Sequence, residues 1–187
     1  MELSGQRTIP ASVEATWVAL NDPETLKACI AGCESLERVG DDGFVAVVAM
    51  KIGPVSARFK GSLKLTHVNP PTSYTINFDG QGGVAGFGRG SADVALTPIA
   101  VDATKLAYQA RATVGGKMAQ IGSRLIDATA GKITDDFFKA FEAHLQAQFT
   151  PTGAPVPAPL RVAEPAGALG WILAAIVILA TLFFMLR

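Results

Sequence analysis

Residues 80–90, GQGGVAGFGRG, are six parts glycine in eleven, a composition that lets a backbone approach a phosphate closely. Gly80, Gly82 and Ala85 reproduce the G-x-G-x-x-G/A spacing of a strand that turns into a helix whose N-terminus faces a pyrophosphate. The chemistry needs that helix, and the next residues, GSADVALTP, alternate like another strand instead. A P-loop fits no better, because Arg89 and Gly90 stand where Lys and Ser or Thr are required. Glycine within strands also permits bulges, positive φ and close approach of a ligand. The run therefore reads either as a bulged hairpin or as a thin wall at one end of a cavity, with Gly82, Gly83, Gly86, Gly88 and Arg89 as the entrance or partner loop.

Other reactive side chains are sparse. Cys29 and Cys33 lie in CIAGC, but a zinc site wants four ligands, and His67 and His144 are distant in sequence. Two reduced, partly buried thiols are expected. General acid–base chemistry would need converging groups. His67 could point inward by strand alternation with Tyr74 and Tyr108 nearby, while Asp79 and Asp93 fall on the opposite, solvated register. No catalytic residue is assigned. Residues 1–149 hold 14 Lys and Arg against 15 Asp and Glu, a net charge of −1, so no basic face for nucleic acid is implied.

The elements that must position these residues follow from periodicity. Residues 2–9 read as a strand that Pro10 ends. Ser12 is placed to cap a short helix over VEATWVALND, and Pro23 to start a second, PETLKACI, with Gly32 as its exit. From residue 34 to 114 the period is two. Phe44, Ala46, Val48, Met50 and Ile52 alternate with their neighbours, as do Val55, Ala57, Phe59, Leu63 and Leu65 beyond the Gly53-Pro54 turn. Tyr74, Ile76 and Phe78 continue the pattern after Asn69-Pro70-Pro71; Ala92, Val94 and Leu96 resume it until Thr97-Pro98. Leu106 to Val114 supplies the last strand. After Gly115-Gly116 the period becomes helical through Met118, Ile121, Leu125, Thr129, Ile133, Phe137, Phe141 and Leu145, about 30 residues or ~45 Å.

Strand, two short helices, six antiparallel strands and a long C-terminal helix is the order of the α+β helix-grip fold, in which a curved sheet wraps the helix around a cavity. Ala128, Thr129, Ala130 and Gly131 give the helix middle little bulk, leaving either space or close helix-to-sheet packing. The expected cavity lining is Phe44, Val48, Phe59, Leu63, Phe78, Phe87, Met118, Ile121 and Leu125.

Beyond residue 149 the composition changes. Residues 150–165 contain five prolines in sixteen and read as a flexible linker, reaching roughly 50 Å at ~3.1 Å per residue. Residues 166–186 carry no charge over 21 positions, ~30 Å as a helix, enough to cross a bilayer. The N-terminus, MELSGQRTIP, has no apolar run of a secretory signal. The expected layout is thus a domain at 1–149, a linker at 150–165 and a transmembrane anchor at 166–187. It implies a single-pass tail anchor in the cell inner membrane with the main domain cytoplasmic.

The segments LNDPETLKACIAGCESLE, GPVSARFKG, GQGGVAGFGRGSADVAL and VGGKMAQIGSRLID resemble the signature segments of the G-subunit family of carbon monoxide dehydrogenase, within the START-like helix-grip superfamily. They span most of residues 1–145, with Ala31 standing where the family usually has proline. The resemblance implies a non-enzymatic accessory protein for a cytoplasmic molybdenum hydroxylase, commonly carbon monoxide dehydrogenase. It further implies recruitment of that enzyme to the membrane and a quinone bound in the cavity as a ligand, with no covalent cofactor, so that electrons reach the respiratory chain. The alternatives are a membrane-recruitment adaptor without a ligand and a cyclase- or hydrolase-type enzyme.

Overall fold

The structure is a computed structural model that describes residues 1–149; the linker and anchor expected over 150–187 lie outside the described residues. The alternating first residues form β1 (Glu2–Ile9), and α1 (Val13–Leu20) and α2 (Pro23–Cys29) follow. Ser12 caps α1 by accepting from the Ala15 N–H at 3.2 Å. Asp22 caps α2, accepting from the Thr25 N–H at 2.9 Å and its hydroxyl at 2.6 Å, and Pro23 occupies the first turn, where no N–H is needed. Those Thr25 bonds hold the Asp22 carboxyl below its usual range.

Six strands follow in the expected order: β2 (Cys33–Val39), β3 (Gly43–Ile52), β4 (Val55–Asn69), β5 (Ser73–Gln81), β6 (Phe87–Ala100) and β7 (Ala103–Gly115). They form one antiparallel sheet in the order β1-β7-β6-β5-β4-β3-β2. The strand expected to close at Thr97-Pro98 runs on to Ala100. Pro98 sits opposite Thr104 beside a register shift, which absorbs the hydrogen bond that proline cannot donate.

The C-terminal helix α3 (Ser123–Phe149) is 27 residues, ~40 Å, shorter than expected. Met118 and Ile121 keep the helical spacing but precede α3, Met118 just before and Ile121 at the end of a separate 3-10 turn (Ala119–Ile121), because Gly122 at φ +97° cannot continue a helix. Contacts of α3 with both β1 and β3, on opposite sides of the sheet order, show that the sheet curls around it. The packed core lies toward the C-terminal half of α3, where Phe138, Phe141 and Leu145 meet Ile9, Leu96 and Leu106. A second cluster, Leu36, Phe44, Ala46, Leu65 and Tyr74, covers the middle of β2–β5. Together they leave one stretch of the concave face without a partner.

Candidate functional site: an apolar cavity beneath the middle of α3

Strand parity fixes which side chains face this stretch. In the β3–β4 and β4–β5 ladders Phe44 lies opposite Leu63, Val48 opposite Phe59, and Leu63 opposite Phe78, so all five share the concave face. Together with Met118 they line a cavity of about 600 Å³. Helix α2 contributes Leu26, and Ile30, which follows its last residue, lies one turn on; α3 contributes Ile133, Phe137 and Phe138. Among the described residues no lysine, arginine or histidine lines it.

Six of the nine expected lining residues, Phe44, Val48, Phe59, Leu63, Phe78 and Met118, therefore meet at the cavity. Phe87, Ile121 and Leu125 do not. Phe87 follows Gly86, whose φ of +118° re-aims the chain, and it shares the outer face with Arg89, whose guanidinium lies 5.6 Å from its ring centre. Ile121 and Leu125 instead lie over Gly53 in the β3–β4 turn, and Leu125 is 42% exposed. Leu26, Ile30, Ala92 and Ala110 are among the lining residues that were not in the expected lining. The i, i+4 spacing of Leu26 and Ile30 is the signal of their apolar face, and the parity of β6 and β7 places Ala92 and Ala110 inward.

The glycine run is not a simple bulged hairpin. β5 ends at Gln81, a single 3-10 turn (Gly83–Ala85) follows, and β6 begins at Phe87. Gly82 N–H donates to the Gly86 carbonyl at 2.8 Å, and Met118 N–H donates to the Ala85 carbonyl at 3.0 Å, which ties the turn to the segment after β7. Gly86 lies so close to the backbone of Gly115 and Gly116 that a Cβ there would collide with the Gly115 carbonyl. Gly88 differs: it lines the cavity, and a Cβ added to it would meet nothing within 4 Å. Gly82 lies under the Phe59 ring, while Gly83 and Arg89 are exposed.

Of the three groups that might have converged for proton transfer, His67 is not inward. A register shift between Thr66 and Asn69 puts it at φ +49°, exposed to solvent. Tyr74 and Tyr108 do line the cavity. Tyr74 is 4% exposed, meets Trp17 edge-on at 5.3 Å, and burial pushes its phenol well above the usual range. Tyr108 lies against Gly5 and stacks on Phe138 at 5.4 Å. On the inner face of β1, Arg7 pairs with Asp135 of α3 and lies over the Phe138 ring at 5.6 Å, joining sheet to helix beside the cavity. Cys29 is buried and Cys33 half-buried, and burial raises both thiols, so neither is a ready thiolate. Among the described residues no cluster of three or more His, Cys, Asp or Glu could hold a metal ion.

The family model for the carbon monoxide dehydrogenase G-subunit (CoxG) matches residues 5–146. Among solved structures, a conserved protein from Geobacillus kaustophilus is 34% identical with a TM-score of 0.74, the match covering 79% of this chain and 97% of that one. A START superfamily protein from Mycobacterium smegmatis is 17% identical, TM-score 0.60, over 79% and 98% of the two chains. The Zhui aromatase/cyclase of Streptomyces sp. R1128 is 11% identical, TM-score 0.63, over 82% and 98%. The last two show a shared START-like fold. No curated protein matches this chain.

Proposed function

The chain belongs to the CoxG family of carbon monoxide dehydrogenase accessory proteins, and on that premise we propose that it is a membrane-tethered protein which holds a quinone for a molybdenum-containing carbon monoxide dehydrogenase or related hydroxylase. The domain stands on the cytoplasmic face of the inner membrane, held by residues 166–187, and brings the enzyme there. The single observation that carries the quinone is the cavity: about 600 Å³, lined almost wholly by aliphatic and aromatic side chains, in a domain that continues into 21 uncharged residues.

Burying apolar surface is worth ~25 cal/mol per Å², so an isoprenoid molecule favours such a cavity over water by many kcal/mol. The bilayer offers nearly the same gain. Transfer between the two is close to balanced, and exchange is reversible, as carrying electrons between a water-soluble enzyme and a membrane pool requires. The chain's own residues exclude water from the ring and tail; the redox chemistry belongs to the quinone and the partner enzyme.

The test is carbon monoxide-dependent reduction of membrane quinone by the cognate dehydrogenase, with inverted membrane vesicles that contain or lack the full-length chain. Reduction that depends on the chain, and that Gly88→Leu abolishes while leaving dehydrogenase on the vesicles, supports the proposal. Full activity with Gly88→Leu leaves only the recruiting role, and dehydrogenase binding that ignores the chain removes that role too.

A further inference from the structure

The cavity has one buried polar group whose bonding is incomplete. Tyr74 sits mid-strand in β5, opposite Val94, on the same face as Ile76 and Phe78. Its ring is clamped by Trp17 and packed among Leu36, Phe44, Ala46 and Leu65. Phenols this deeply buried ordinarily find a hydrogen-bond partner. Among the described residues the Tyr74 hydroxyl has none, yet it is not sealed into packing either. The buried side-chain polar atoms that are both sealed and unpaired are Arg7 Nε and Thr16 Oγ1. Tyr74 also borders a second depression with Ser73, Thr75 and Asp93, but its ring packs with Leu36, Phe44 and Leu65 on the concave face, which puts the hydroxyl on the side of the apolar cavity.

Resting on the reading that this cavity takes an apolar ligand, we infer that Tyr74 is its polar anchor, donating its O–H to a ring-carbonyl oxygen of an otherwise apolar molecule. The geometry selects the ligand class. Packing fixes the ring, so the donor is pre-organised and little side-chain freedom is lost on binding. A neutral donor in apolar surroundings discriminates by the acceptor it meets: a hydrocarbon leaves the phenol unpaired, and a carbonyl satisfies it. An anionic head group finds no cationic side chain along the lining. Burial holds the phenol protonated across the physiological range, so the donor is always present.

Two probes of nearly equal size isolate this bond: 2,3-dimethyl-1,4-naphthoquinone and 2,3-dimethylnaphthalene, which differ by the two carbonyl oxygens. The methyl groups block addition of the Cys29 or Cys33 thiol to the quinone ring. Dissociation constants are measured on the detergent-solubilised full-length chain for wild type, Tyr74→Phe and Tyr108→Phe; partitioning into micelles is common to all three and cancels in the comparison. Phenylalanine keeps the Trp17 contact, and a melting curve checks the fold. Tyr74→Phe is expected to weaken the naphthoquinone about threefold to tenfold, the net worth of one hydrogen bond, and to leave the naphthalene unchanged or tighter. Tyr108 also lines the cavity, so Tyr108→Phe tests it as the competing donor, and the assignment to Tyr74 requires that discrimination survive there. Equal changes for both probes, no change for the quinone, or loss of discrimination in Tyr108→Phe instead would each overturn the assignment while leaving the cavity a ligand site. If wild type binds neither probe, the ligand reading of the cavity falls, and the anchor with it.

Discussion

The two halves of α3 run under the same sheet and do opposite things. Toward the C-terminus, Phe138, Phe141 and Leu145 are 7%, 0% and 1% exposed and fill the space between helix and strands. Toward the N-terminus, Leu125 and Ile133 remain 42% and 39% exposed, and the residues between them include Ala128, Ala130 and Gly131. A Cβ on Gly131 would meet nothing within 4 Å, so that glycine does not serve close packing. An apolar stripe with continuous spacing is therefore core at its C-terminal end, borders the cavity near its middle through Ile133 and Phe137, and stands clear of the sheet's filling at Leu125. What separates them is side-chain volume: a sheet curved enough to hold a helix needs bulky residues to fill its concavity, and only one half of α3 supplies them.

The largest expected effect tests the filled half. Phe141→Ala removes a fully buried ring from the main cluster and is expected to destabilise the domain by about 3–5 kcal/mol, whereas Leu125→Ala costs less than about 1 kcal/mol. Chemical denaturation of both variants measures the contrast, and similar losses would break it. Next come two glycines of one run. Gly86→Val puts a branched side chain at φ +118° against the Gly115 carbonyl, and strain alone costs about 1–3 kcal/mol before the collision is relieved. Gly88→Leu enters open space in the cavity and is expected to change stability by no more than about 0.5 kcal/mol while filling the ligand's place. Paired melting curves show whether Gly86 is the structural glycine and Gly88 the one that borders the site.

Much of this contrast is legible in the sequence. Period-two alternation in β3, β4 and β5 puts Phe44, Val48, Phe59, Leu63 and Phe78 on one face because a strand's geometry leaves no other choice. The end of β1, the α1 cap and the start of α2 follow from Pro10, Ser12 and Pro23 by equally local rules, while Asp22 as the α2 cap was not read from the sequence. Parity is lost at Phe87, where glycines at positive φ reset the chain direction without any trace in the hydrophobic pattern. The start of α3 is hidden for a related reason: Met118 and Ile121 fit the helical period, and only the backbone at Gly122 separates them from the helix. His67 is displaced by a bulge that strand alternation cannot reveal. The hollow itself depends on how far the sheet curls, a property of the assembled strands and not of any one of them. The expected anchor and its linker lie outside the described residues.

Smaller effects sharpen the picture. Gly131→Ala adds a methyl where no atom is near and removes backbone freedom from the unfolded chain, so α3 is expected to gain about 0.5–1 kcal/mol, read from the denaturation midpoint. A loss instead would mean that the hollow half of α3 packs more closely than it does here. The smallest effect lies away from both halves, at the α2 cap. Asp22 has a lowered carboxyl pKa in the fold, so its contribution is present above the unfolded value near ~3.9 and is lost as pH falls through the folded value. The group is half-buried and still reached by solvent, so the effect is a fraction of a kcal/mol. Asp22→Asn keeps a capping oxygen and is expected to flatten the rise in stability as pH climbs from the folded value through the unfolded one, which denaturation at several acid pH values measures.

The central claim is that the hollow half of the grip is a quinone site, and the most direct measurement is the amount of quinone carried by the protein. Full-length wild type and Gly88→Leu are purified identically, extracted with organic solvent, and assayed by mass spectrometry for quinone per chain, with melting curves alongside. Quinone carried by wild type, displaced by added quinone analogues and largely absent from a folded Gly88→Leu, is the predicted result. Equal quinone in both chains, or none in wild type and no competition by analogues, would contradict the account.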